Sequence, residues 1–238
     1  RHDNCPGEST SQTAGLPSGA CFPVGMTTNT FTVTAANGQM ASCSFTVTVT
    51  DNEAPAIVCP SNESVNNDPG QCCADVIYTA PVGTDNCPGE STSQTAGLAS
   101  GACFPVGMTT NTFTVTAANG QMASCSFTVT VTDNEAPVIV CPANVSVDND
   151  PGQCCADVTF TATSSDNCPG ESTSQTAGLA SGACFPVGMT TKTFTVTAAN
   201  GQMASCWVTG TVTDNEAPAI VCPSNESVNN DPGQCCAM

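Results

Sequence analysis

The chain has 238 residues, 20 of them Asp or Glu against two bases (Arg1 and Lys192) and one histidine (His2), for a formal charge of −18 at pH 7. That acidity, with no basic patch, argues against nucleic acid or an anionic membrane surface as partner. No stretch approaches the ~20 apolar residues of a membrane helix, so membrane insertion is not expected. With so little His, Lys and Arg for acid–base or phosphoryl chemistry, no catalytic residue is assigned and an enzyme is not expected. The chain shows no initiator Met, charged n-region or apolar h-region, and reads as a mature product or a window of something longer.

Eighteen cysteines approach the density of small disulfide scaffolds. Their even number, and the fate of such thiols in a reducing cytosol, point to an oxidised, extracellular protein. Zinc is the rival reading. Structural zinc sites want ligands spaced as C-x₂₋₄-C, whereas the close pairs here are adjacent: Cys72–Cys73, Cys154–Cys155 and Cys235–Cys236.

Along the chain one string recurs. Residues 1–50 carry Cys5 in DNCPGESTSQTAGL, Cys21 in SGACFPVGMTT and Cys43 after NGQMAS; His2 sits at this end and is expected to be solvated. Residues 51–132 place a DNEAP linker, Cys59 in IVCP and the doublet in NDPGQCCA ahead of that string. Strands are predicted at Ala56–Cys59, Ala74–Thr79, Ser91–Thr95 and Thr109–Thr116, separated by the Gly/Pro clusters NDPGQ, CPGE, LASGA and FPVG. Residues 112–132 read as a hairpin around Asn119-Gly120. In its second run Cys125, Phe127, Val129 and Val131 share one face, and Ser126, Thr128, Thr130 and Thr132 the other. Residues 133–213 repeat the whole, and 214–238 repeat its beginning. The period is 82 and then 81 residues, the deletion falling between Cys155 and Cys168. That is too long for a solenoid repeat and suits one small domain. No helical period is convincing. The expected class is all-β: tandem immunoglobulin-like β-sandwiches stapled by disulfides. The modules are 1–50 (the C-terminal part of one), 51–132 and 133–213 (complete), and 214–238 (the N-terminal strands of a further one).

The ordered motifs DNEAPAIVCP, NNDPGQC, DNCPG, AGLASG, FPVGMTT, TFTVTAANG and SCSFTVTVTD resemble the hyalin repeat across essentially the whole chain. The resemblance implies an extracellular immunoglobulin-like module, used in tandem in adhesive or matrix proteins and without catalytic residues. Cys73 and Cys103 stand where other small residues are more usual, which implies one extra disulfide per repeat.

Six cysteines per module allow fifteen connectivities. Cys59 and Cys125 lie in phase with inward Ile57 and Phe127 and are expected to pair, a link that resembles the family's common bridge; Cys141–Cys206 is its copy. Cys72–Cys87 would tie the two ends of the second strand segment, with Cys73–Cys103 as the added bridge. Cys154–Cys168 and Cys155–Cys184 follow in the next module. Exchange of Cys72 with Cys73 stays open, and a vicinal bridge strains the usual geometry.

The terminal segments carry complementary cysteines: Cys5, Cys21 and Cys43 at the front, Cys222, Cys235 and Cys236 at the back. These are expected in inter-unit disulfides. Joining one back to the next front spaces Cys236 and Cys5 by 7 residues, against 14 and 13 within the chain, so the rebuilt module is slightly short. The expected partners are copies of the same chain, head to tail, as one long polypeptide or by strand addition. A contact of that kind does not close and generates a filament.

Asn62, Asn144 and Asn225 each begin an N-x-S sequon and are candidate N-glycan sites. Outward threonines such as Thr128 and Thr130 are candidate O-glycan sites, although Thr is also a good strand residue. Asp51, Glu53, Asp85, Asp133, Glu135 and Asp166 cluster at the linkers as candidate calcium ligands, against their ordinary use in turns. The third repeat reads CWVTGTV where the second reads CSFTVTV. Outward Trp207 is a candidate contact for another module, a subunit or a sugar. Val208 and Gly210 shrink the core, at about 1–3 kcal/mol or more if nothing refills it, and Lys192 in place of Asn111 reads as a charge change on the neighbouring strand. The expected function is a structural extracellular array, glycan-coated, assembling end to end into a filament or matrix fibre. The alternative is a calcium-stiffened adhesin stalk that binds glycans or proteins. No cofactor is required for the first reading; calcium and N- and O-linked glycans are the candidates.

Overall fold

Threonine alternating with Val or Phe is poor material for a helix and good material for a half-buried strand. A computed structural model describes residues 6–237, and all regular structure in that span is strand. The first three are β1 (Ser9–Ala14), β2 (Gly25–Thr34) and β3 (Met40–Val49). Next come β4 (Glu63–Asn66), β5 (Cys73–Val76), β6 (Ser91–Ala96), β7 (Ala102–Pro105), β8 (Gly107–Thr116) and β9 (Met122–Thr132). Then follow β10 (Val138–Val140), β11 (Val145–Asp148), β12 (Cys155–Val158), β13 (Thr163–Ser165), β14 (Ser172–Ala177), β15 (Ala183–Pro186), β16 (Gly188–Thr197) and β17 (Met203–Thr213). The chain divides into two compact units, meeting between Asn134 and Glu135.

In the first unit, β4-β9-β8-β6 form a four-stranded sheet, with β4 parallel to β9 and the other pairs antiparallel. The two-stranded β5–β7 sheet lies over its inner face. The core between them is Ala74, Val76, Tyr78, Phe104, Phe113, Phe127, Val129 and Val131, all buried. The outer face is a ladder of hydroxyls, with Thr112 bonded to Ser126 at 2.9 Å and Thr114 to Ser124 at 2.8 Å. The hairpin tip is a three-residue loop closed by Ala117 N–H to the Gln121 carbonyl, with Gly120 at φ 83°. Residues 6–50 form a separate sheet in this unit, β1-β2-β3, with the same register as β6, β8 and β9.

The strand predicted at Ala56–Cys59 is reduced to a single bridge, Ala56 to Thr84. Its counterpart in the second unit is a true pair, β10 with β13. Pro81 has no N–H to give a ladder there, whereas the shorter ATSS stretch of the second unit has no proline.

A buried asparagine organises the turn after β6. Asn111 is fully buried, and its Oδ1 accepts from Leu98 N–H at 2.8 Å and from Gln94 Nε2 at 3.3 Å. Tyr78 Oη donates to the Leu98 carbonyl at 2.6 Å. The backbone reaches this arrangement only through Gly97, at φ 87°, where a Cβ would run into Asn111 Oδ1.

The second unit repeats the sandwich, with β11-β17-β16-β14 against β12–β15, but it rebuilds this corner. Lys192 takes the place of Asn111 and Phe160 that of Tyr78. Lys192, read from the sequence only as a charge change on the strand, is 0% exposed, and its Nζ has no hydrogen-bond partner. The ammonium sits over the rings of Phe160, Phe185 and Phe194, at 5.2, 5.7 and 5.4 Å from their centroids. The Lys192 stem lies directly across from Val208, where the first unit pairs Asn111 with Phe127. Gly210 leaves room for Phe160, whose ring a Cβ at that position would meet at 3.2 Å. The volume lost at Val208 and Gly210 is thus refilled from Lys192 and Phe160. The acids on the strands of this sandwich, Asp148 and Asp157, are both exposed, so burial holds the Lys192 amine below its ordinary range.

Two outcomes follow. Gly97→Ala is expected to lower unfolding stability by about 1–3 kcal/mol or more, read from denaturant midpoints. The unfolded chain holds a proton on Lys192 that the folded unit gives up, so stability rises with pH between the depressed value and about 10.4. The slope approaches about 1.4 kcal/mol per pH unit. With the free thiols alkylated, Trp207 fluorescence during denaturation reports this unit, and Lys192→Met is expected to abolish the slope.

Candidate functional site: the open sheet and the module ends

The two sandwiches are stapled by Cys59–Cys125 and Cys73–Cys103 in the first unit and Cys141–Cys206 and Cys155–Cys184 in the second, with Cα separations of 5.4–5.8 Å. The expected Cys72–Cys87 and Cys154–Cys168 bridges are not formed. Cys87 and Cys154 are free, while Cys72 and Cys168 are disulfide-bonded. The reason is distance. The Cys72 carbonyl accepts from Val106 N–H at 3.2 Å, at the start of β8. Cys87 lies by Asn119, at the hairpin tip beyond the other end of β8. The 10 residues of β8 span roughly 33 Å, and a disulfide needs Cα atoms within about 7 Å.

The hairpin tip also anchors the linker. Asn119 Nδ2 donates to Asp51 Oδ2 at 2.9 Å and to the Glu53 carbonyl at 2.8 Å. In the second unit Asn200 Nδ2 donates to the Glu135 carbonyl at 2.7 Å. The Cys87 thiol is raised above its usual range, first by partial burial, then by the charge and hydrogen bond of Asp51, with Asp85 and Glu53 adding. Asp85 and Asp166 hold both carboxylate oxygens buried without a hydrogen-bond partner, and Asp133 is buried. Among the described residues no three His, Cys, Asp or Glu side chains gather as a metal-holding group.

Asn62 and Asn144 are exposed, each oriented by its Oδ1, which accepts from Thr128 N–H and Thr209 N–H at 2.9 Å. Asn225 is exposed as well. Trp207 is 73% exposed on the outer face of β17, opposite Thr193.

Among the described residues no second layer covers the sheet β1-β2-β3. Residues 6–50 match 88–132 at every position except Pro17 for Ala99, yet Phe45 is 52% exposed where Phe127 is 2%. Phe31, Val33, Val47 and Val49 are half-exposed where their counterparts are buried. Conversely, residues 214–237 match 51–74 at every position. In the first unit that segment supplies Ile57, Cys59, Val65 and Ala74 to the core. At the far end its copies lie bare: Ile220 is 88% exposed and Val228 70%. Cys21 and Cys43 on the open sheet, and Cys222, Cys235 and Cys236 on the bare segment, are free and exposed; Cys5 lies outside the described residues.

The sequence matches the HYR domain over residues 2–49, 50–131 and 132–212. The chain belongs to the HYR domain family. Hyalin from Strongylocentrotus purpuratus is 30% identical over 217 residues, which is 87% of this chain and 18% of that protein. Hyalin from Lytechinus variegatus is 31% identical over 219 residues, 86% of this chain and 40% of that protein. The chain therefore spans less than half the length of these relatives. Among solved structures, a protocadherin gammaB7 EC3-6 cis-dimer aligns over 85% of this chain and 62% of its own at a TM-score of 0.35 and 16% identity.

In this HYR chain the thiols differ in reactivity. At pH 8 iodoacetamide is expected to modify Cys43, Cys222, Cys235 and Cys236 before Cys87, since the thiolate is the nucleophile and acidic neighbours disfavour it. Timed alkylation with peptide mass spectrometry reads the order.

Proposed function

We propose that this hyalin-like chain is a structural component of an extracellular matrix or adhesive fibre, assembled head to tail. The open β1-β2-β3 sheet is completed by a segment like residues 214–237 from the adjoining repeat, on one long polypeptide or on another copy of the chain. The observation that carries this reading is complementarity: an apolar sheet face lies bare, and the sequence that covers the same face in residues 51–132 lies bare elsewhere on the chain. Completion buries Phe31 and Phe45 at about 1.5–3 kcal/mol each, and pairs Cys43 with Cys222 and Cys21 with Cys236 at about 2–4 kcal/mol per bridge. The disulfide-stapled sandwiches and the kinship with hyalins support an extracellular location. N-glycans on Asn62, Asn144 and Asn225 supply a hydrated coat to a chain with few charges, and Trp207 offers an apolar contact on its outer surface.

In a buffer of reduced and oxidised glutathione, the purified chain is expected to give a ladder of covalent oligomers on non-reducing electrophoresis, collapsing to one band on reduction. Phe45→Asp and Val228→Asp are each expected to cut oligomer yield at least tenfold. A single monomeric band at every protein concentration removes the fibre.

The unpartnered carboxylates of Asp85 and Asp166, one in each complete module, favour a second reading in which calcium at the linkers stiffens an adhesin stalk. Scattering in calcium and in chelator separates the two. An unchanged maximum dimension supports the disulfide-stapled fibre, and shortening on chelation supports the stalk.

A further inference from the structure

The outer face of β17 carries one side chain out of pattern. Across from Thr193 stands Trp207, where the first unit has Ser126 bonded to Thr112 at 2.9 Å. Trp207 is the single tryptophan of the chain and is 73% exposed, so most of its apolar area packs on nothing in the sandwich. The exchange also takes the serine partner away from the Thr193 hydroxyl. Asn144 lies next to this ring. Val145 of β11 is in register with Gly210 of β17, which sets Asn144 beside Thr209, and Asn144 Oδ1 accepts from Thr209 N–H at 2.9 Å. Thr209 and Trp207 alternate with buried Val208 and share the outer face. Asn144 and Trp207 are therefore separated by about 5 Å across the strands and about 7 Å along them, a gap that a single pyranose ring fills. We propose that the innermost N-acetylglucosamine of an N-glycan on Asn144 packs its apolar C–H face against the Trp207 indole.

The inference rests on the N-glycan coat proposed above and gives one of its sugars a seat on the protein. An N-glycan is joined through the side-chain nitrogen. Asn144 spends its Oδ1 on Thr209 and is exposed, which leaves Nδ2 for the sugar. Attachment forms the Nδ2–C1 bond as the C1–O bond to the pyrophosphate of a lipid-linked oligosaccharide breaks; the pyrophosphate and one Nδ2 proton leave. The bond to Thr209 holds the amide against β17, so the sugar starts from a fixed point beside the sheet. Its equatorial hydroxyls leave the two ring faces apolar, and a flat indole matches such a face. Thr193 and Thr209 flank Trp207 and supply hydroxyls to the rim of the sugar. The first unit carries its own control. Asn62 Oδ1 accepts from Thr128 N–H at 2.9 Å in the same way, but Ser126 stands where the indole would be. A glycan on Asn62 therefore has no ring to lie on.

For the test, the chain is secreted from cells that N-glycosylate, its free thiols are alkylated, and peptide mass spectrometry gives the occupancy of Asn62, Asn144 and Asn225. Acrylamide quenching of the single tryptophan then reports the contact. A sugar on one of the two indole faces is expected to lower the quenching constant roughly twofold relative to Ser146→Ala. That variant removes the sequon and keeps Asn144 with its bond to Thr209. Trimming to a single N-acetylglucosamine with an endoglycosidase is expected to preserve the protection, since the innermost sugar makes the contact. Asn62→Gln is expected to leave the constant unchanged, and an equal effect there overturns the stack. An occupied Asn144 with the same constant in the parent chain and in Ser146→Ala, or protection lost on trimming, overturns the stack and spares the coat. Glycans on Asn62 or Asn225 with Asn144 bare do the same. No glycan at any of the three overturns the stack and the coat together.

Discussion

The structure depends on covering one apolar sheet face. The Thr-rich hairpin of β8 and β9 turns Phe113, Val115, Phe127, Val129 and Val131 to one side, and a two-faced sheet of that kind is stable only when the other layer arrives. The layer is β5 paired with β7, so part of it comes from a segment earlier in sequence, which also adds β4 to the edge of the four-stranded sheet, and the Cys59–Cys125 bond ties that segment to β9 across 66 residues. The hairpin and the earlier segment that completes its cover are separate stretches of sequence. Where only the first is present, in residues 6–50, a sheet forms but its face stays open. Where only the second is present, in residues 214–237, no strand forms.

The two complete modules show how far a core of this kind can be rebuilt. In one, a buried Asn111 satisfies the turn at Leu98 and a tyrosine adds a second bond to the same residue. In the other, a lysine enters from the Asn position, a phenylalanine replaces the tyrosine, and the strand opposite gives up a phenylalanine for Val208 and a valine for Gly210. None of these changes is conservative alone. Together they keep the volume filled and place the ammonium against three aromatic rings, which recover part of the solvation it lost. The cost is an ammonium stripped of water, which lowers the pKa of the amine.

The cysteines divide by the same logic. Cys59–Cys125 and Cys141–Cys206 join the first segment of each module to its last strand, while Cys73–Cys103 and Cys155–Cys184 link adjacent strands of one small sheet, where cross-strand geometry brings Cα atoms within reach. Cys72 and Cys87 instead lie at the two ends of a module, separated by the length of β8. Linkers pinned by Asn119 and Asn200 add polar bonds at the same places.

The sequence by itself determined the repeat, the strand class, the inward and outward faces of the hairpin and the Cys59–Cys125 bridge with its copy, and left Cys72 and Cys73 exchangeable. All of these follow from alternation and from positions a few residues apart, or from phase across a repeated unit. It did not reveal the burial of Lys192, because a lysine on an alternating strand looks the same whether its neighbour across the sheet is large or small; Val208 and Gly210 were visible as losses, and only packing showed what filled them. It also misassigned Cys72 and Cys87, which are close in the chain and far apart in the fold. Tertiary structure decided that pairing because the chain between them turns across the sandwich and leaves the two sulfurs at opposite ends of a ten-residue strand.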